Sequence, residues 1–390
     1  MTIPVMRPWL GAEEEAAVAA VVASGWVAQG PRVAEFERAF AARIGAAEGV
    51  AVSSCTTALH LALVLAGVGP GDEVVVPSLS FIATTNAVRY VGATPVFADV
   101  EPATQNVTAG TVAAVATERT RAVVVVDQGG VPADVDPIRA WAGARGVAVV
   151  QDAACAAGST YRGGPVGRDA ALACFSFHPR KLLTTGEGGM LTVARAEDGA
   201  RARRLREHGM SVSAADRHAS GRVVLESYDE VGFNYRMTDL QAAMGLVQLG
   251  KLDAMVETRR RLAARYQEAL AGVPGLLTAS DPAYGTTNYQ SFWVLLPEDF
   301  PVGRDELLQI LLDQGISARR GIMASHTEPA YAGTPAGAAG AAGLPVTERL
   351  TAGSLILPVF HQLTDADQDR VIDALLAVAT GRVPAGSAAS

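Results

Sequence analysis

Residues 121–152 read RAVVVVDQGGVPADVDPIRAWAGARGVAVVQD, and this stretch decides the fold. Two near-continuous apolar runs, RAVVVVD (121–127) and GVAVVQD (146–152), flank the helical DPIRAWAGARG. A strand that is apolar on both faces must be covered on both, which points to a buried, mostly parallel sheet with crossover helices. Working outward, the same alternation continues. EVVVP (73–77) and TPVFADV (94–100) precede it, and ACFSF (173–177) and GMLTV (189–193) follow. The helical run TTALHLALVLAG, ending at Gly67, precedes these strands, and FIATTNAVRYVG lies between two of them. The fold class is therefore α/β, with helices flanking a mostly parallel sheet.

Toward the start, EEEAAVAAVVAS predicts a helix with an acidic first turn, and a second follows from Val33 to Ile44. Toward the end, a helical pattern runs from Val231 to about Leu270. The Pro-Gly pair at 274–275 then opens a region of shorter strands (QSFWVLLP) and helices (RDELLQILLDQG, DADQDRVIDALLAVA), read as a smaller α+β domain. The expected division is a large domain over 1–250 and a small one over 251–390. YAGTPAGAAGAAGLP is expected to be a surface loop, and the tail PAGSAAS disordered.

A net charge of −8 and a pI near 5.4 argue against a protein that grips nucleic acid through its backbone. No run approaches the length of an uncharged apolar membrane span, and the first residues lack the order of a signal peptide. The expectation is a soluble cytoplasmic protein without membrane partners. Three cysteines (Cys55, Cys155, Cys174), odd in number and without metal spacing, predict free thiols and no metal site. Of 32 basic residues, 30 are Arg and only two are Lys, Lys181 and Lys251. In a chain that uses Arg wherever a cation suffices, a lysine marks a place where Arg fails. Only the lysine amine loses its proton and condenses with a carbonyl. Lys251 sits among charged helical residues and reads as a solvated face.

Three places carry candidate chemistry. Asp152 ends a strand, where ligands of open α/β sheets bind, and a carboxylate there could keep a pyridinium nitrogen protonated. Asp127 competes on position alone, and a turn or cap role is the plain alternative for either. The hydroxyl cluster in SSCTTALHLAL (53–63) stands before a long helix, a ready phosphate site. Ordinary N-capping by Ser54 or Thr56 is the plain alternative. CFSFHPRKLLTTGEGGML (174–191) sets Ser176, Lys181 and many Gly and Thr on one connection. That density suggests a backbone shaped around a ligand; the plain alternative is a hairpin loop with a solvated lysine.

Taken together, these segments resemble the DegT/DnrJ/EryC1/StrS family of aminotransferases, within fold-type I pyridoxal-phosphate enzymes. The likeness runs from RPWLGAEEE through PSLSFIATTNAVRYVGATPVFADV and QDAACAAGSTYRGGPVG to FSFHPRKLLTTGEGGM, GFNYRMTDLQAAMGLVQL and GISARRGI. The resemblance implies that Lys181 forms the internal aldimine and that Asp152 pairs with the pyridinium nitrogen. It implies that Thr56, Thr57 and Ser176 hold the phosphate and that Phe81 stacks on the ring. Asn234 would reach the phosphate of a neighbouring protomer, making the active unit a homodimer with shared sites. Cys155 stands near the cofactor's phenolic oxygen, where the family often has Gln or His. Cys55 replaces a usual Gly, and Asp127-Gln128-Gly129-Gly130 replaces a usual His-containing turn.

The implied reaction is transamination of a nucleotide-linked keto sugar, with an amino acid, glutamate, as donor and pyridoxal 5′-phosphate as cofactor. Arg319 and Arg320 are candidate substrate contacts, since guanidinium forks suit phosphates or carboxylates; a solvated edge is the plain reading. Three alternatives stand beside it. One is a cyclitol (inosose-type) aminotransferase, another a pyridoxamine-phosphate-dependent sugar dehydratase, and the third a non-catalytic cofactor-binding regulator. Lys181 argues against the dehydratase, whose relatives carry His there.

Overall fold

The computed structural model describes residues 2–212, 217, 220–333 and 343–382. Its strands begin with β1 (Glu48–Val52), β2 (Glu73–Pro77), β3 (Thr94–Ala98), β4 (Thr120–Val126) and β5 (Ala148–Asp152). After the short β6 (Thr160–Tyr161) and β7 (Gly164–Pro165) come β8 (Leu172–Ser176) and β9 (Gly189–Val193). A seven-stranded sheet runs in the order β1-β9-β8-β5-β4-β2-β3. The pairs β5/β8, β4/β5, β2/β4 and β2/β3 are parallel, whereas β9 is antiparallel to both β8 and β1. One strand therefore reverses in an otherwise parallel sheet. The expected α/β class holds, and so do all six expected strands. β1, a short run without turn signals around it, was not among them.

Helices α1 (Ala12–Ser24), α2 (Pro31–Ile44), α3 (Cys55–Leu65), α4 (Ile82–Tyr90), α5 (Ala109–Val115), α6 (Val135–Gly143) and α7 (Ala196–Arg206) clothe the sheet. Alternation along the strands divides the core into two layers. Val123, Val125, Ala173 and Phe175 face α2, where Phe40 packs edge-on to Phe175 at 5.0 Å. Val124, Val126, Val150 and Cys174 face the other way, onto Leu59, Ala62 and Leu63 of α3. The residues two steps further on each strand inherit these faces, so Asp152 follows Val150 and Ser176 follows Cys174.

The helical pattern expected from Val231 begins only at Asp239, capped by Thr238 and Gln241, and then runs unbroken to Leu270. Residues 231–238 are instead extended: Arg236 bridges to Val52, and Asn234 bridges to Glu207. Backbone pairing outweighs helical propensity there, and the Thr238 capping box sets the true start. This helix crosses 250/251 without a break, and its far end enters a third core with Phe292, Val294, Leu355 and Leu375. That core is built on the sheet β10-β12-β14-β13, comprising β10 (Leu277–Thr278), β12 (Phe292–Leu295), β13 (Arg319–Arg320) and β14 (Ser354–Leu357). β11 (Gly285–Thr286) pairs with β6 instead. Most of YAGTPAGAAGAAGLP (334–342) and the tail from 383 lie outside the described residues.

Lys251 departs from the solvated face expected of it. Its ammonium sits 2.7 Å from Glu14 and 2.8 Å from Glu13 of α1, and 5.2 Å from the Trp9 ring centroid. The charged helical surroundings were read correctly, but their partner is another helix rather than water. No helix among the described residues is long and apolar enough to cross a membrane.

Candidate active site

The carboxyl ends of β1, β2, β4, β5 and β8 open on one edge of the sheet, and the candidate residues gather there. Register places the two aspartates on opposite faces of the sheet. Val126 pairs with Asp152 across β4 and β5. Asp152 therefore shares the face that packs on α3, and Asp127, one residue beyond Val126, points to the opposite face with Gln151. Asp127 is wholly buried and accepts hydrogen bonds from the Ala133 amide at 2.9 Å and from Gln151 Nε2 at 3.0 Å. It organises the turn at 128–133. Gly130 there has φ 94°, and a Cβ on it would stand 1.9 Å from Asn288 Oδ1. Glycine is the residue that this turn and this close approach allow.

Burial raises the Asp127 pKa from 3.8 to about 7, against the opposing pull of its hydrogen bonds. The folded state then holds a proton that the unfolded state releases. Stability attributable to this group should fall as pH rises from about 4 to about 7, and stay level above. The span corresponds to at most about 4 kcal/mol. Urea midpoints measured across that range should show a shallower fall in Asp127→Asn than in wild type; parallel profiles would refute the assignment.

Asp152 is 4% exposed. Its Oδ2 accepts from Thr84 Oγ1 at 2.8 Å and its Oδ1 from the Ala154 amide at 3.2 Å, with Cys55 Sγ 4.0 Å away. Burial raises its pKa, while Thr84, the Ala154 amide and the charge of Lys181 oppose the rise. No Arg, Lys or His lies within ion-pair distance of it among the described residues. A carboxylate this deeply buried is costly to keep charged, and only two hydrogen bonds and the more distant charge of Lys181 favour its charged form. Thr84 was invisible to sequence reasoning. It lies one helical turn into α4, and its hydroxyl is also 2.8 Å from Ser80 Oγ.

Lys181 lies on the 177–188 connection between the antiparallel β8 and β9. The plain hairpin geometry is thus present, but its lysine is turned inward. Nζ is half-buried and 3.0 Å from Cys155 Sγ. Burial pulls its pKa down, yet Cys155, Cys55 and Asp152 outweigh this and hold it above the ordinary lysine value. Two threonines of the connection bond its own backbone. Thr184 Oγ1 donates to Phe177 O at 2.9 Å and Thr185 Oγ1 to Glu187 O at 2.6 Å. A Cβ on Gly189 would lie 2.5 Å from the Ser54 carbonyl carbon, so Gly there lets β9 press against the first turn of α3.

That first turn is the expected anion site. Ser54 caps α3 by accepting from the Thr57 amide at 3.2 Å, and the Thr57 hydroxyl closes the capping box on the Ser54 amide at 3.1 Å. Thr56 stands beside it, half-buried. Ser176, at the end of β8, belongs by alternation to the same face as Asp152 and Cys174. Phe81 immediately precedes α4 and is 64% exposed, unusual for an aromatic ring one turn from a buried site. All three cysteines are free, as expected, and all three lie near the Asp152–Lys181 pair. Arg319 and Arg320 separate: Arg320 is exposed and pairs with Glu328 at 3.6 Å. Arg319 is half-buried, its side chain makes no hydrogen bond or ion pair among the described residues, and its pKa is lowered by burial and by Arg180. Asn234 is exposed. Among the described residues no group of three or more His, Cys, Asp or Glu could hold a metal ion.

A loop lysine and a buried aspartate thus share the carboxyl edge of this sheet, where the sequence resemblance to pyridoxal-phosphate aminotransferases led one to expect them. Comparison with known proteins agrees. The DegT/DnrJ/EryC1/StrS aminotransferase family matches residues 8–376, and the chain belongs to that family. An aminotransferase, TlmJ, from Streptoalloteichus hindustanus is 38% identical, with 97% of this chain and 99% of that one covered at a TM-score of 0.88. DesV of S. venezuelae is 34% identical, covering 97% and 98% at a TM-score of 0.88. Spr1654 of Streptococcus pneumoniae, solved in PLP and PMP forms, is 26% identical at a TM-score of 0.89 and covers 98% of this chain. The cofactor is pyridoxal 5′-phosphate.

Proposed function

We propose that this enzyme transfers an amino group from an amino acid, glutamate, to a keto sugar carried on a nucleotide. The observation that carries the reading is the convergence of the buried Asp152 and the half-buried Lys181 at one strand edge, each without a conventional ion pair among the described residues. Bound there, pyridoxal phosphate supplies an electron sink for the carbanion that loss of a substrate proton would leave. In this reading Lys181 holds the cofactor's aldehyde carbon and moves the proton, while Asp152 keeps the ring nitrogen protonated. Thr56, Thr57 and Ser176 receive the phosphate at the positive end of α3. Phe81 covers the ring, which would account for its exposure, and Cys155 stands beside the lysine amine. The half-buried, unpaired Arg319 is the better of the two arginines for an anionic substrate group. We assign the large unit to 1–250 and the small unit, which brings Arg319, to 251–390.

The nucleotide-sugar assignment rests on family membership and on polar surroundings: Gln128, Cys155 and Arg319 rather than an apolar slot. Its test is a panel. The pyridoxamine form is mixed with TDP-, UDP- and GDP-linked keto sugars, inososes and free keto acids, and the return of the aldehyde spectrum is timed. A nucleotide-linked keto sugar should react fastest. An inosose reacting fastest, without inhibition by nucleoside diphosphate, would remove the sugar-nucleotide assignment and leave the cofactor chemistry standing.

The active unit in this reading is a homodimer. Val223, Leu225 and Val231 are 92%, 87% and 88% exposed, and they lie in the segment that leads to the exposed Asn234. Apolar side chains so bare call for a covering surface, and a second copy would also take Asn234 to its own phosphate site. Mixing Lys181→Ala with Asn234→Ala protomers should restore activity through hybrid dimers with one intact site. Demonstrated subunit exchange without any recovery would exclude the shared site.

A further inference from the structure

Cys155 and Lys181 are 26 residues apart and are brought together by the chain's C-terminal part. Asn288 Nδ2 donates to Cys155 O at 2.8 Å and to Ala157 O at 2.7 Å, while Gln290 Nε2 donates to Arg180 O at 2.5 Å. One short segment thus pins the backbones on both sides of the contact. The result is a thiol and an amine held 3.0 Å apart. The other two thiols differ. Cys55 and Cys174 are buried, and burial drives both well away from the thiolate form, whereas Cys155 is half-exposed. A partly exposed thiol beside a cation is the setting in which cysteine oxidises, and a sulfenic acid is readily captured by a nearby nitrogen.

We propose that Cys155 and Lys181 form an oxidation-sensitive lock that removes the lysine from cofactor chemistry. A hydroperoxide oxidises the thiol: its O–O bond breaks, sulfur loses two electrons, and a sulfenic acid and water (or an alcohol) result. The Lys181 ammonium gives up a proton to solvent, and the free amine attacks that sulfur. An S–N bond forms, the S–O bond breaks, and the hydroxyl leaves with an amine proton as water. The link holds two hydrogens fewer than the free pair. A dithiol reverses it: one thiolate attacks sulfur and releases the amine with a proton, and the second thiol closes the reductant's own disulfide. The contact supplies the proximity that makes capture outrun further oxidation. The lock rests on the reading that Lys181 carries the cofactor, because only then does it silence the enzyme. It forms when the amine is free, as after reaction with the amino donor.

The test treats the holoenzyme with hydrogen peroxide, with or without excess amino donor, and maps a digest by mass spectrometry. With donor, the Cys155 and Lys181 peptides should appear joined, about 2 Da below the sum of their masses, and dithiothreitol should part them. Without donor the joined species should be absent. In Lys181→Met, Cys155 should instead remain as a sulfenic acid that dimedone labels; in Cys155→Ser no link should form. Cys155 taken to sulfinic acid with Lys181 free, or equal dimedone labelling in wild type and Lys181→Met, overturns the proposal. Borohydride reduction of untreated enzyme separately reports whether Lys181 carries the cofactor. If it does not, a link that forms regardless of donor leaves the cross-link standing but overturns both its role as a lock and the wider reading.

Discussion

Lys181→Arg is expected to remain folded, to lose the yellow colour of the lysine-bound cofactor, and to lose turnover by about 10³-fold or more, the scale seen when a covalent nucleophile is removed. The guanidinium keeps the charge facing Asp152 and Cys155, so the electrostatic surroundings are nearly preserved. What it lacks is an amine that sheds its proton and bonds to carbon. Charge and chemistry are thereby separated in one substitution. Borohydride reduction of the wild type followed by peptide mapping completes the experiment, with the cofactor mass expected on the Lys181 peptide. Finding it on the Lys251 peptide would contradict the structure, in which Lys251 is held by Glu13 and Glu14.

Asp152→Asn is expected to weaken cofactor binding and slow turnover by about 10²–10⁴-fold. The estimate comes from the roughly 3–5 kcal/mol lost when one partner of a buried ion pair is removed, realised in the transition state. Asn keeps the hydrogen bonds to Thr84 and the Ala154 amide in shape, so the loss isolates the negative charge. Cofactor saturation should also raise the melting temperature of wild type more than that of the variant. Wild-type rates in Asp152→Asn, with the loss appearing in Asp127→Asn, would transfer the role. The geometry speaks against that outcome, since Asp127 points to the opposite face of the sheet and is spent on Ala133 and Gln151.

Much of the protein was legible in one dimension because the signals are local. A doubly apolar strand announces a doubly covered sheet, and EVVVP and GMLTV coincide with β2 and β9 residue for residue. Scarcity singled out Lys181, since a chain with 30 arginines retains a lysine where an amine is needed. The hydroxyls before α3 were a real helix start, with Ser54 and Thr57 in a capping box.

Other features depend on partners far away in sequence, and periodicity carries no information about those. The choice between Asp127 and Asp152 needed the register of β4 against β5, because a single step along a strand exchanges the two faces. The reversal of β9, the extended path of 231–238, the Thr84 hydroxyl on Asp152 and the separation of Arg319 from Arg320 follow from the same cause. So does the meeting of Cys155 with Lys181, which exists because Asn288 and Gln290 pin two loops side by side. The sequence alone determined the layers of the fold and singled out Lys181 as the candidate amine. Which side chains face that amine was decided only when strand order and register set them on a common edge.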